Sequence, residues 1–190
     1  GIYEFDEQLT LKRRVGSFGH ERGEFWYPCA AASAADGTMY VVDKWNHRIQ
    51  VLNREYAVEK IIGGYGTDTG QFHEPSGIAL KGGLMYVTDK TNGRVQAFDR
   101  AGRYRYCYHE TGPTKEFYES ETFKKNSHYR RWIAAASRFN SVESQFVQNG
   151  FAIGVMEYPE AVIVTPNGDI RVIDFINQDM IEFDGELAYR

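Results

Sequence analysis

Short runs in which apolar and β-branched residues alternate with polar ones recur along most of the chain, and Gly, Asp, Asn or Pro closes each run. A period of two belongs to half-buried strands, not to helices. Residues 29–34, 38–43, 48–53 and 58–63 read as four such strands in succession, with turn residues such as Asp36-Gly37 between them. One stretch departs from this pattern. Asn126 or Ser127 can cap a helix, and Tyr129, Trp132, Ile133, Ala136 and Phe139 then follow three-and-four spacing before the Asn149-Gly150 stop. Residues 111–150 are therefore predicted to be a helical insertion in an otherwise all-β chain.

The strand pattern repeats. Gly16, Gly19, Gly23, Phe25 and Pro28 recur at Gly63, Gly66, Gly70, Phe72 and Pro75, each 47 residues on. Asp43-Lys-Trp-Asn-His-Arg-Ile-Gln50 is echoed by Asp89-Lys-Thr-Asn-Gly-Arg-Val-Gln96, shifted by 46. A third copy begins at Tyr158-Pro159 and runs through Asn167-Gly168, Arg171-Val-Ile-Asp174 and Asn177, with Asp179 where the arginine stood. Ile2-Tyr-Glu-Phe-Asp6 matches the trailing part of a repeat. A period of about 45 residues built from four short strands is the signature of a propeller blade.

At these residues the chain closely resembles the NHL repeat family: a glycine-spaced loop, Phe-x-x-Pro, then Tyr-Val-x-Asp-x-x-Asn-x-Arg-Ile/Val-Gln. Asp43, Asn46, Arg48 and Gln50 fit the pattern, as do Asp89, Asn92, Arg94 and Gln96, while the third copy keeps Asp174 and Asn177. The resemblance implies an NHL-type β-propeller of about three and a half four-stranded blades, an incomplete ring. Residues 1–15 would be trailing strands of a preceding blade, 16–62 blade one, 63–110 blade two, 111–150 the insertion and 151–190 blade three, together one propeller domain. Relatives of this kind include RNA-binding propellers, exported modules and a metal-dependent peptide-amidating lyase, so the resemblance leaves activity open.

Composition narrows the classes. Apolar residues make up 42 % and charged residues 25 %, ordinary for a globular protein. Twenty-two Lys+Arg against 26 Asp+Glu give a net charge of −4, which argues against a nucleic-acid partner. No apolar run reaches the roughly 20 residues of a membrane span. The chain opens on Gly1 instead of Met, so processing or trimming is expected, and an exported or periplasmic location is open. Cys29 and Cys107 are too few for a disulfide framework; one bridge or two free thiols are both compatible with the sequence. The histidines His20, His47, His73, His109 and His128 do not recur in register, and no nucleophile–base set or phosphate loop sits in a supporting context. No catalytic residue, metal site or cofactor is therefore predicted.

The recurring Asp43, Asn46, Arg48, Asp89, Asn92, Arg94, Asp174 and Asn177 are expected to brace turns, since a feature present once per blade suits architecture. In blade three two acids, Asp174 and Asp179, would stand where an acid–cation pair stood; solvation is expected there, with a weak metal site as the alternative. Up-and-down topology places Phe18, His20, Arg22, Trp26 and Tyr27 on the same face as Lys44, Trp45 and His47, with Tyr65, His73 and Thr91 at the corresponding stations one blade on. These non-repeating residues are the candidate partner-binding set, with packing against neighbouring loops as the alternative. The insertion leaves from that face. It carries six Lys/Arg against four Asp/Glu, and Lys124, Lys125, Arg130, Arg131 and Trp132 mark it as a candidate docking arm. The expected role is a non-catalytic protein-binding or scaffold propeller, an accessory subunit of a larger complex. Self-association through open blade edges is also possible. The alternatives are a metal-dependent lyase or hydrolase and an RNA-binding module.

Overall fold

Alternating side chains make the strands, and the punctuation between them returns the chain antiparallel. The computed structural model describes residues 1–108, 158–175 and 179–183. The predicted helical insertion, with Lys124, Lys125, Arg130, Arg131 and Trp132, lies outside the described residues, as does Asn177. The described strands all belong to one compact unit.

A hairpin of β1 (Ile2–Phe5) and β2 (Leu11–Val15) opens it. Within the first glycine-spaced loop, β3 (Ser17–Phe18) and β4 (Glu24–Phe25) form a two-residue parallel ladder. Sheet one follows as β5 (Pro28–Ser33), β6 (Met39–Asp43), β7 (Arg48–Leu52) and β8 (Val58–Gly63). Sheet two is β9 (Pro75–Lys81), β10 (Leu84–Asp89), β11 (Arg94–Asp99) and β12 (Tyr104–Tyr108). Sheet three contains β13 (Pro159–Val164), β14 (Ile170–Asp174) and β15 (Asp179–Phe183). Strands pair in chain order within each sheet, the up-and-down arrangement of propeller blades. All described regular structure is β apart from two single 3-10 turns, Lys44–Asn46 and Lys90–Asn92. The turns end in left-handed His47 (φ 53°) and Gly93 (φ 60°).

Register makes the repeats equivalent. Across the second and third strands Asp43 pairs with Arg48, Asp89 with Arg94, and Asp174 with Asp179. The sheets pack face on face. Ile2 and Val15 of the hairpin lie against Phe25, Val41 and Leu52, and the opposite face of sheet one packs through Val42 and Ile49 onto Ile78, Met85, Val87 and Phe98 of sheet two. Sheet three buries Val162, Ile170, Val172 and Ile181, with β13 running beside β9. Two features tie that last seam. The Ser76 hydroxyl donates to the Pro159 carbonyl at 2.7 Å, and a Cβ on Gly77 would lie 3.0 Å from the Ala161 backbone.

Candidate functional site

The repeated polar residues form the same network twice. Asp43 is fully buried and its Oδ2 accepts from Asn46 Nδ2 (2.8 Å), Arg48 Nε (2.8 Å) and Gln50 Nε2 (3.1 Å). Its Oδ1 accepts the Trp26 N–H at 2.7 Å. The three donors reach on into the preceding loop. Asn46 donates to the Gly19 carbonyl, Arg48 Nη2 to Glu21 and Glu24, and Gln50 to Glu24, while Gln50 Oε1 accepts the Gly23 N–H.

One repeat on, Asp89 accepts from Asn92 (2.9 Å), Arg94 (2.7 Å), Gln96 (3.1 Å) and the His73 N–H (2.7 Å). Asn92, Arg94 and Gln96 again hold carbonyls of the loop, at Gly66, Asp68 and Gln71. Each carboxylate is thus the common acceptor through which the turn and the incoming loop are joined. In sheet three Asp174 is also fully buried, and the Tyr158 N–H points at its two oxygens from 3.3 and 3.4 Å. Asp174 is thus enclosed, while the side chain of Asp179, its expected neighbour, lies outside the described positions. The backbone of the incoming loop takes up Asp174, as it does Asp43 and Asp89.

These anchors bring the incoming loop and the second-to-third-strand turn together on one face. The Trp45 N–H donates to the Trp26 carbonyl, Thr91 to His73 and Phe175 to Tyr158. The predicted aromatics assemble on that framework in two groups. Trp26 makes edge contacts with Phe18 (6.1 Å between ring centroids), His20 (5.0 Å) and Trp45 (5.5 Å), and Tyr27 stacks on Trp45 at 4.9 Å and 23°. His47, Tyr65 and His73 form a second set, with centroids 4.9 to 5.6 Å apart. Phe18, Tyr27, Trp45 and Tyr65 remain 73 %, 55 %, 43 % and 67 % exposed. His20 Nδ1 lies 2.7 Å from Asn46 Oδ1, and the Arg22 guanidinium donates to the Val58 carbonyl.

His47 joins sheet one to the next loop. Its Nδ1 accepts the Glu74 N–H at 3.0 Å, so the other ring nitrogen carries the proton. Burial, reinforced by neighbouring His73, holds its pKa below the ordinary value against the opposing pull of Glu74 and Asp89.

A charged cluster beside these rings was not foreseen as a unit. Lys44, with a side chain only 11 % exposed, pairs with Glu74 at 3.8 Å and lies over the Tyr27 ring. Lys90 pairs with Glu160 and stands 4.2 Å from the centre of the Tyr158 ring. Burial works against the Lys90 ammonium, but the Glu160 carboxylate outweighs it and raises the pKa above its usual value. The signal was present in the repeat alignment. Lys44 and Lys90 both follow the anchoring aspartate, and Cys29, Ser76 and Glu160 all follow the strand-opening proline. Cys29, a free thiol, shows part of its surface to solvent but turns its sulfur toward the Ser76 and Pro75 carbonyls (3.4 and 3.7 Å). Burial of the sulfur pushes the thiol pKa up to about 11. Cys107 is also free. Among the described residues no three His, Cys, Asp or Glu side chains converge as metal ligands, and no helix is long and apolar enough to cross a membrane.

Comparison with known proteins agrees with this architecture. The family model for the NHL repeat matches residues 72–98. No curated protein sequence matches the chain. Among solved structures, a streptogramin B lyase superposes with a TM-score of 0.57 at 12 % identity, over 99 % of this chain and 46 % of that one. A gluconolactonase from Xanthomonas campestris gives 0.56 at 13 % identity, over 98 % and 52 %. Virginiamycin B lyase from Staphylococcus aureus gives 0.52 at 10 % identity, over 86 % and 40 %. The chain thus spans about half the length of the solved structures it matches, and at these identities the likeness is one of fold. With its repeated aspartate-centred networks and its up-and-down sheets, the chain is a β-propeller that carries an NHL repeat at residues 72–98.

Proposed function

We propose that the loop face binds a protein partner and that the chain serves as a non-catalytic scaffold, an accessory subunit of a larger assembly. The observation that carries this reading is the placement of Phe18, Tyr27, Trp45 and Tyr65. All four are exposed, and all sit on loops that the aspartate networks hold rigid. Large aromatics already fixed in place lose little conformational freedom on docking, and Trp, Tyr and Arg are the residue types that dominate interface energetics. The bracing role of Asp43, Asn46, Arg48 and their counterparts belongs to the same proposal. The basic insertion around Lys124, Lys125, Arg130, Arg131 and Trp132 is proposed as a second contact region.

The test is a photo-crosslinking residue placed at Tyr65, with the same probe at Lys12 on the hairpin as control. A protein captured from Tyr65 alone is then purified, and its affinity is measured against Trp45→Ala and Tyr65→Ala. A loss of tenfold or more at unchanged thermal stability is expected. Equal capture from both positions, or affinities unmoved by either substitution, would remove the binding reading.

The lyase and lactonase names among the similar folds support a second reading, a metal-dependent propeller enzyme. It is tested on the same preparation with lactone and cyclic depsipeptide substrates in the presence of divalent metals. Metal-dependent turnover would put that reading first.

A further inference from the structure

The two lysines that follow the anchoring aspartates make a single cluster out of two sheets. The first strands β5, β9 and β13 run side by side. The turns that carry Lys44 and Lys90 emerge at the proline ends of those strands, since Asp43 pairs with Pro28 and Asp89 with Pro75. Each lysine reaches forward onto the segment that opens the next sheet, Lys44 to Glu74 and Lys90 to Glu160. There the two side chains meet. Lys44 is among the groups that act on the Lys90 ammonium, and both lysines, with Glu160, act on the Cys29 thiol.

In this cluster the ammoniums lie inside and the carboxylates at the rim. The lysine side chains are 11 % and 10 % exposed, their partners Glu74 and Glu160 32 % and 44 %. Burying an ammonium is costly unless acceptors meet its donors. Lys90 is met, by the Glu160 carboxylate and by the Tyr158 ring. Lys44 is not. Its nitrogen stays 3.8 Å from Glu74, too far for a hydrogen bond, and 5.6 Å from the centre of the Tyr27 ring. Among the described residues every fully buried side-chain nitrogen or oxygen has a hydrogen-bond partner, so the Lys44 nitrogen is one that still opens to solvent. Two like charges side by side, one with its donors unspent, suit an anion that accepts from both. Two ammoniums against two carboxylates leave the cluster neutral, which favours a monoanion over a doubly charged phosphate. A carboxylate, with two oxygens in one plane, can span both lysines.

We propose that Lys44 and Lys90 together receive the carboxylate of an Asp or Glu side chain presented by the loop-face partner. The inference rests on the partner-binding reading and gives that partner its chemistry. Tyr27 and Trp45, stacked on each other and exposed beside Lys44, flank the incoming residue. Glu74 and Glu160 stand at the rim, where they can turn out to water as the new acid enters.

The first arm of the test needs no partner. The full chain, with carbon-13 in its lysines, is titrated with N-acetylglutamate α-amide, and N-acetylglutamine amide serves as the neutral control. Saturable shifts of the Lys44 and Lys90 signals in the millimolar range are expected, absent with the control. Lys44→Gln should weaken the shift at Lys90 at least tenfold, and Lys44→Arg should keep most of it. The second arm uses the protein captured through Tyr65. Lys44→Gln should raise its dissociation constant at least tenfold at unchanged melting temperature, with Lys44→Arg restoring most of the loss. Shifts that never saturate, or that the control reproduces, would overturn the proposal. So would a partner held equally well by the wild type and Lys44→Gln, an outcome that leaves the partner-binding reading standing. Uptake of the probe with no protein captured from Tyr65 would remove that reading and, with it, the assignment of the carboxylate to a partner. If Lys44→Gln fails to fold, Lys90→Gln takes its place in both arms.

Discussion

Arg94 and Asp89 meet at 2.7 Å with side chains only 5 % and 0 % exposed, and the guanidinium then spans to two carbonyls of the glycine-spaced loop. The pair is less a salt bridge than a clasp between a sheet and the chain segment that leads into it. Removing the acid leaves a buried cation and strands the His73 N–H. Asp89→Ala should therefore cost about 3–5 kcal/mol, the usual range for breaking one side of a buried pair. Urea unfolding measures it, with Asp43→Ala expected to lose a similar amount. A loss no larger than that of an exposed substitution would mean the network is not what holds the loop.

Gly63 has φ +86°, and a Cβ there would run into the Phe72 ring. Gly16 stands in the same relation to Phe25. Gly63→Ala should lower stability by about 1–3 kcal/mol through left-handed backbone strain and displacement of a buried ring. Gly70→Ala keeps the backbone strain but meets no atom within 4 Å, so it should cost less. Equal losses at the two positions would assign the whole effect to backbone conformation.

His47 titrates below its ordinary value of 6.5, because burial and His73 disfavour its charged form. Well above pH 6.5 the ring is neutral in the folded and the unfolded chain and adds no pH dependence. As the pH falls through 6.5, the unfolded chain takes up the proton first, so the native state loses stability until the lowered native pKa is passed. Protonation also removes the acceptor for the Glu74 N–H. The stability advantage of the wild type over His47→Asn should shrink between about pH 8 and pH 5. Urea midpoints that run parallel across that range would show that His47 is not linked to folding.

The Cys29 thiol, held up to about 11, is a thiolate only about one part in a thousand at pH 8. With Cys107 replaced by Ser, Cys29 should react with a disulfide reagent about a hundredfold more slowly than a free thiol of ordinary pKa. Unfolding in urea should restore the ordinary rate. A fast reaction in the native state would show that the sulfur is not shielded by the Ser76 and Pro75 carbonyls.

The parts of this structure legible in the sequence are those repeated at fixed spacing. Glycine loops, strand-opening prolines and the Asp-x-x-Asn-x-Arg-x-Gln series each serve one local job, so a single alignment exposes them. The aromatic stations could be placed on one face because strand order alone decides on which side a turn emerges. The pairing of Lys90 with Glu160 was hidden, since 70 residues separate them and, although Lys90 repeats Lys44, Glu160 stands where the other copies have Cys29 and Ser76. The same applies to the division of the rings into a Trp26 group and a His47 group. That depends on how far apart neighbouring turns splay, which side-chain size sets and periodicity does not encode.

The Ser76-to-Pro159 bond spans 83 residues, whereas the clasps around Asp43 and Asp89 reach back fewer than 30. Chain closure over the longer span adds only about 1 kcal/mol of entropy, yet its contacts cannot form until the intervening chain has come back. Sheets one and two are assembled from neighbours in sequence and have no such wait. The seam at Ser76 and Gly77 is therefore where time enters this fold. Sheets one and two are expected to pair before β13–β15 dock, and until they do the Thr88 and Val95 face lies open.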